Sequence, residues 1–285
     1  MKTLAYLLAI GLSAQTDDAG AIRDRLDQFL LDYEPKLSAL VAEERMSQRD
    51  GRRLETNAPG VRDSGPRTTS RSIVSEVAFI GLPGNAGWLG FRRVVQVNGK
   101  TISDAGPALP ALLSDGASDD FDQARLLLEQ SAQHNLGSPR TTNLPNLPLE
   151  FLHPRNRHRL HQRIDGVEKI RGIATTRLIF QEHSSPTIIQ RPEGGDMQSL
   201  ITAWVETTTG RLIRAEVKTR DARIGVLPFD NTIWVDFRMD ETLGLLVPYE
   251  MKEGFFAGRF REGTGTARYS NYRQFRTTGR IVPQP

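Results

Sequence analysis

The stretch His153-Pro-Arg-Asn-Arg-His158-Arg-Leu-His161-Gln-Arg163 holds three histidines and four arginines. Three imidazoles are a familiar zinc set. On a strand, however, residues 158 and 161 point to opposite faces, and the surrounding guanidinium charge opposes a divalent cation. The expectation is no metal site. Read as a strand, the segment lines up Arg157, Arg159, His161 and Arg163 on one face. Such a stripe suits an anionic surface, and it equally suits the charged, solvated face of an edge strand that blocks unwanted pairing. A second basic run, Arg259 to Arg280, carries six arginines against Glu262 and contains Tyr269, Tyr272 and Phe275. Arg157, Arg159, Arg163, Arg268 and Arg273 are therefore the candidate surface contacts. The first strip lacks the stacking aromatics that nucleic acid needs, so no nucleic-acid partner is expected.

Catalytic signatures are missing. No G-x-S-x-G, G-x-x-x-x-G-K-[ST], H-E-x-x-H or strand-following G-x-G-x-x-G occurs. Gly81 to Gly90 is glycine-rich but joins two strands, whereas phosphate cradles lead into a helix. With no cysteine, thiol nucleophiles, disulfide scaffolds and cysteine-held metals are excluded. The carboxylate pairs Glu43/Glu44, Asp119/Asp120 and Asp240/Glu241 read as helix starts or turns. The expectation is a non-enzymatic protein with no catalytic residues and no cofactor. A hydrolase reading would have to use His134, His158, His161 or His183.

The 285 residues are 38% apolar, with 37 Lys+Arg against 34 Asp+Glu and a net charge of +3. That composition fits a globular chain, and the length fits one large domain or two small ones. Met1-Lys2-Thr3, the apolar run Leu4 to Leu12 and the small pair Ser13-Ala14 follow the order of a signal peptide. The run is shorter than the ~20 residues of a membrane span. Residues 1–14 are thus expected to be removed near Ala14, leaving a periplasmic or secreted protein with no transmembrane span.

Ile22, Leu26, Phe29/Leu30, Tyr33, Leu37 and Leu40/Val41 recur at helical spacing. The spacing predicts a helix pair to about Arg45, with Pro35 kinking it or starting the second piece, followed by a loop from Arg49 to Pro66. Strands follow at 70–82 and 88–97, with Asn98-Gly99 turning a hairpin into Lys100-Thr101-Ile102. Short helices are expected at 107–113 and 118–137, then a connector at 144–152. Beyond it, strands are expected at about 157–165, 168–182, 186–190, 200–207, 211–219, 229–239, 245–254 and 259–277. Asp165-Gly166, Arg191 to Gly195, Thr209-Gly210, Asp240-Glu241 and Glu253-Gly254 serve as separators. The organisation is a helical region over 15–150 with a β-hairpin at 70–102 packing on the sheet, then a meander over 151–285.

The tail carries a resemblance. It reads Ile201-Thr-Ala-Trp204-Val-Glu206, Thr209-Gly210-Arg-Leu-Ile213, Asn231-Thr-Ile-Trp-Val235-Asp-Phe237, Leu243-Gly-Leu-Leu-Val-Pro248 and Gly265-Thr-Ala-Arg-Tyr269-Ser-Asn-Tyr272. This order resembles the LolA-like superfamily of periplasmic lipoprotein carriers, and it is similar to secreted proteins of unassigned function that share the tail. The resemblance implies an α+β fold, N-terminal helices over a large curved antiparallel sheet, and a half-barrel whose concave side holds a lipid or lipoprotein acyl chain. Phe180, Trp204, Trp234 and Phe237 are the candidate lining. Apolar residues occur on both faces of several strands, so which face lines the groove stays open. The alternative is a cell-envelope interaction module that uses its arginine-rich faces to contact a protein partner or an anionic surface.

Overall fold

The computed structural model describes residues 4–38, 40–52, 67–81, 88–103, 105, 129–137, 140–191, 194–220, 229–257 and 261–274. In chain order they form α1 (Leu4–Leu37), β1 (Leu40–Arg52), β2 (Arg67–Gly81), β3 (Trp88–Val97), β4 (Lys100–Thr101) and α2 (Leu147–Leu152). A 3₁₀ turn (Pro154–Arg159) then leads into β5 (Leu160–Ile170), β6 (Ile173–Glu182), β7 (Gln198–Glu206) and β8 (Leu212–Arg220). The last strands are β9 (Phe229–Asp240), β10 (Leu245–Ala257) and β11 (Arg261–Gln274). Among the described residues no helix is long and apolar enough to cross a membrane.

Ile22, Leu26, Leu30, Tyr33 and Leu37 are buried along one stripe of α1, as helical periodicity requires. The helix ends at Leu37 and does not continue to Arg45. From Ala42 the burial period becomes two, with Ala42, Glu44, Met46 and Gln48 inside. β1 is hydrogen-bonded to β2 on one side and β11 on the other, and two ladders outweigh the modest helix preference of Ala-Glu-Glu-Arg-Met. Glu43 and Glu44 are therefore strand residues on opposite faces, not a helix start, and β1 runs into the expected loop as far as Arg52.

All eleven strands form one antiparallel sheet, in the order β4-β3-β2-β1-β11-β10-β9-β8-β7-β6-β5. The β2–β4 hairpins extend this sheet edge-on through β1; they do not pack on its face. Because β4 and β5 are the two edges, the chain between them must cross the whole sheet. Ile73 and Val77 on β2 share one core with Leu178 and Phe180 on β6. Those strands are seven spacings apart, about 33 Å in a flat sheet, so the sheet curls around α1 as a half-barrel.

Two expected separators are strand interior. Asp165-Gly166 is a bulge in β5, with the register shift between Ile164 and Gly166 and Gly166 at φ 143°. The extra residue bends the strand without ending it, and the reversal falls at Arg171-Gly172. Gly254 lies inside β10, paired with Thr232 and Thr264. The stretch 186–190 makes only the bridge Gln190–Asp196. Asn98-Gly99 does form its hairpin turn, at φ 50° and 77°. The expected helix at 107–113, most of that at 118–137, and most of the glycine-rich link Gly81 to Gly90 lie outside the described residues.

Gly263 and Gly265 on β11 face inward opposite Phe255 and Glu253 of β10. A Cβ at Gly263 would sit 1.9 Å from the Phe255 ring, and one at Gly265 would sit 2.6 Å from Glu253 Oε1. The glycines let two β10 side chains lie flat across β11 toward β1. Gly263→Ala should therefore lower stability by about 1–3 kcal/mol through overpacking. Gly254→Ala, whose Cβ meets nothing within 4 Å, should change it far less; thermal unfolding of both variants compares them.

Candidate ligand-binding face

Strand alternation decides which residues face the helix. Ile201, Ala203 and Val205 of β7, Ile233, Val235 and Phe237 of β9, and Leu178 and Phe180 of β6 join the α1 stripe in one apolar core. Phe29 stacks on Tyr33 with centroids 5.0 Å apart, and the Arg23 guanidinium lies 5.8 Å over the Phe180 ring. α1 and α2 cover this face. Polar contacts tie α1 down at its margin: Arg157 pairs with Asp24 and Asp27, and His153 Nε2 meets Glu34 Oε2 at 2.7 Å.

The four aromatics expected to line a groove are divided between the two faces. Phe180 and Phe237 lie under α1. Trp204 and Trp234 lie on the opposite, convex face with Ile170, Ile173 and Ile213, because each is one residue out of phase with an inward neighbour. Their rings are 5.1 Å apart, and Arg214 sits 4.7 Å from the Trp234 centroid. Trp204 Nε1 donates to Glu168 at 2.7 Å. Asp236 receives Arg214 Nε at 2.8 Å and Arg171 at 2.9 Å. Burial alone would raise the Asp236 carboxyl, but these guanidiniums hold it below the usual range.

A buried polar clasp lies inside the half-barrel, and no sequence expectation included it. Glu44 of β1 and Arg92 of β3 pair at 2.6 Å, with side chains 0% and 2% exposed. Arg92 donates to the Asn143 carbonyl at 2.6 Å, and Tyr269 of β11 donates to Glu44 at 2.9 Å. Burial works against the Arg92 charge, yet Glu44 beside it raises its pKa. Burial and Glu44 together push the Tyr269 hydroxyl well up. The second half joins Arg140 to Glu253 at 2.9 Å, with Arg140 stacked 3.9 Å over Phe255. Gln48 Nε2 donates at 2.8 Å to both Asn135 Oδ1 and Glu253 Oε1, while its Oε1 accepts from Leu136 N. Both arginines are neutralised and held, so the clasp fastens Asn135, Leu136, Arg140 and Asn143 to the sheet. The signal was present: Glu44 and Gln48 alternate in phase with Ala42 and Met46, and Glu253 with Met251 and Phe255.

The expected basic stripe is broken up. Arg157 and Arg159 belong to the 3₁₀ turn, not to β5. Arg159 donates to the Pro186 carbonyl, Arg163 pairs with Asp165, Arg268 with Glu250 at 3.3 Å and Arg273 with Glu76 at 3.1 Å. His161 stacks on His183 at 3.9 Å. His153 is buried at the end of α2, accepting the Arg155 N–H at Nδ1 while Nε2 donates to Glu34. Burial lowers its pKa and Arg155 adds to the lowering, against the opposing pull of Glu34.

The chain is similar to a DUF1329 family protein from Desulfovibrio piger, at 13% identity over 90% of this chain and 92% of that one, TM-score 0.39. It is also similar to a domain from Vibrio parahaemolyticus described as outer membrane lipoprotein-sorting, at 13% identity over 90% and 93%, TM-score 0.40. A LolA superfamily protein from Nitrosomonas europaea aligns at 12% identity over 92% and 94%, TM-score 0.33. No protein-family model and no curated protein matches the chain.

Removing one partner of a buried pair strands the other charge. Arg140→Ala should cost about 3–5 kcal/mol, and Arg140→Met with Glu253→Gln should recover most of that loss; urea midpoints measure both. The His153 sign is also fixed. Its folded pKa is depressed, so the unfolded chain binds the proton first. Its contribution is complete above about pH 6.5 and is lost as pH falls below that value. Urea midpoints between pH 7.5 and 5 should fall more steeply in the wild type than in His153→Gln.

Proposed function

We propose that the protein is an exported, non-enzymatic carrier that holds an apolar, acyl-type ligand against the concave face beneath α1. One observation carries the reading: the apolar face of an open sheet is covered by helix, not by a second sheet. The inward residues of β6, β7 and β9 meet the α1 stripe. The polar ties holding α1 at its margin reach residues 153–157. Moving the helix therefore breaks no strand ladder, and a hydrocarbon chain can replace its stripe, each buried methylene contributing about 0.8 kcal/mol. The charged, apolar, then small-residue order of residues 1–14 supports export. The interaction-module alternative has less support, because all five candidate arginines engage the protein's own carboxylates or carbonyls.

The neutral fluorophore N-phenyl-1-naphthylamine tests the reading. Its emission should rise saturably, and hydrogen exchange of the amides at 20–37 should quicken when it binds. Phe180→Leu should weaken binding severalfold, whereas Trp204→Leu on the convex face should leave it unchanged. No saturable signal, together with an empty organic extract of the natively purified protein, would overturn the proposal.

A further inference from the structure

Where α1 passes the β7–β8 and β9–β10 turns there is an open cleft of about 390 Å³. Its floor is apolar and continuous with the interior: Leu246 belongs to the main core, and Phe29 and Leu245 pack against it. Met239 borders the cleft and is 45% exposed. The α1 side is cationic. Arg25 and Lys36 line it together with Phe29 and Asp32, four positions whose spacing forms one helix stripe.

The Arg25 backbone packs against the β7–β8 turn. A Cβ on Gly210 would fall 2.3 Å from the Arg25 carbonyl, so helix and turn meet backbone to backbone. The Arg25 Nε is buried and has no hydrogen-bond partner among the described residues, which is costly for a charged donor. Arg211, the third cation here, is paired with Glu206 at 2.7 Å. Asp32, the remaining lining acid, accepts from Gln28 at 3.2 Å. A cationic rim over an apolar floor is complementary to a molecule with one charged end and one hydrocarbon end.

We infer that this cleft binds the anionic head of an amphiphile, a carboxylate or a phosphate ester, with the head on Arg25 and Lys36. The chain runs over Phe29, Leu245 and Leu246 toward the core. The inference rests on the acyl-carrier reading and adds to it a head-group charge and a point of entry. Charge-assisted hydrogen bonds supply the discrimination.

The test compares, on the full chain, 11-(dansylamino)undecanoic acid with its neutral methyl ester. The acid should bind about tenfold tighter, the scale of one charge-assisted hydrogen bond. Arg25→Gln and Lys36→Gln should bring the ratio toward one without changing ester affinity, and Asp32→Asn should raise it. If Arg25→Gln does not fold, Lys36→Gln, an exposed position, carries the comparison. Displacement by dodecanoate against dodecyl phosphate identifies which head is preferred. Acetate or inorganic phosphate displacing the probe as well as these do would overturn the apolar half of the inference. Equal binding of acid and ester, or a ratio that the variants leave unchanged, overturns the head-group assignment while the carrier reading stands. If neither probe binds, both fall.

Discussion

The ladder between Leu40–Arg52 and Arg261–Gln274 joins strands from the two ends of the chain. Without it the molecule would be two smaller sheets, one of β1–β4 and one of β5–β11, each with an unpaired edge. With it, one sheet becomes wide enough to curl around a helix. The same register sets Gln48 opposite Gly265 and Arg45 opposite Arg268, so it also determines which side chains meet inside.

Curling creates two demands that different residues satisfy. The central part of the concave face is apolar and must be covered, and the α1 stripe does so. Between β4 and β5, the described residues 131–132, 135–136 and 143–144 are buried, where unpaired amides are costly. The clasp answers that second demand: Gln48 accepts from the Leu136 amide, Arg140 donates to the Leu136 carbonyl, and Arg92 to the Asn143 carbonyl. Buried ion pairs of this kind add little net stability over apolar residues of the same size, whereas loss of one partner strands a buried charge. That is why Glu253 and Phe255 need glycines beside them: the clasp works only if they lie flat.

The two faces of the sheet have separate roles. The convex face ties its tryptophans and arginines into paired, self-satisfied contacts around Asp236. The concave face places aliphatic and aromatic side chains against a helix whose polar ties lie at its margin. The apolar concave face is thus covered by helix, not by a second sheet, and that is a property of the tertiary arrangement.

Local regularities were legible in the sequence. The i, i+4, i+7 stripe of α1, the Asn98-Gly99 turn and the meander of the second half all follow from contacts between near neighbours. So does the pairing of inward positions within each strand, since alternation is intrinsic to the pleat. Which alternate set faces inward was not legible. β7 offers Ile201, Ala203 and Val205 on one side and Leu200 and Trp204 on the other, and β8 buries Ile213 on the convex face beside inward Leu212 and Ala215. Periodicity marks two faces without ranking them; only the position of α1 ranks them. Ala-Glu-Glu-Arg-Met reads as helix until β2 and β11 lie on either side of it. Glu44 looks like a solvent-facing acid until Arg92 and Tyr269, the latter 225 residues away, close around it. Each of these outcomes was decided by partners distant in the chain, whose approach no local pattern encodes.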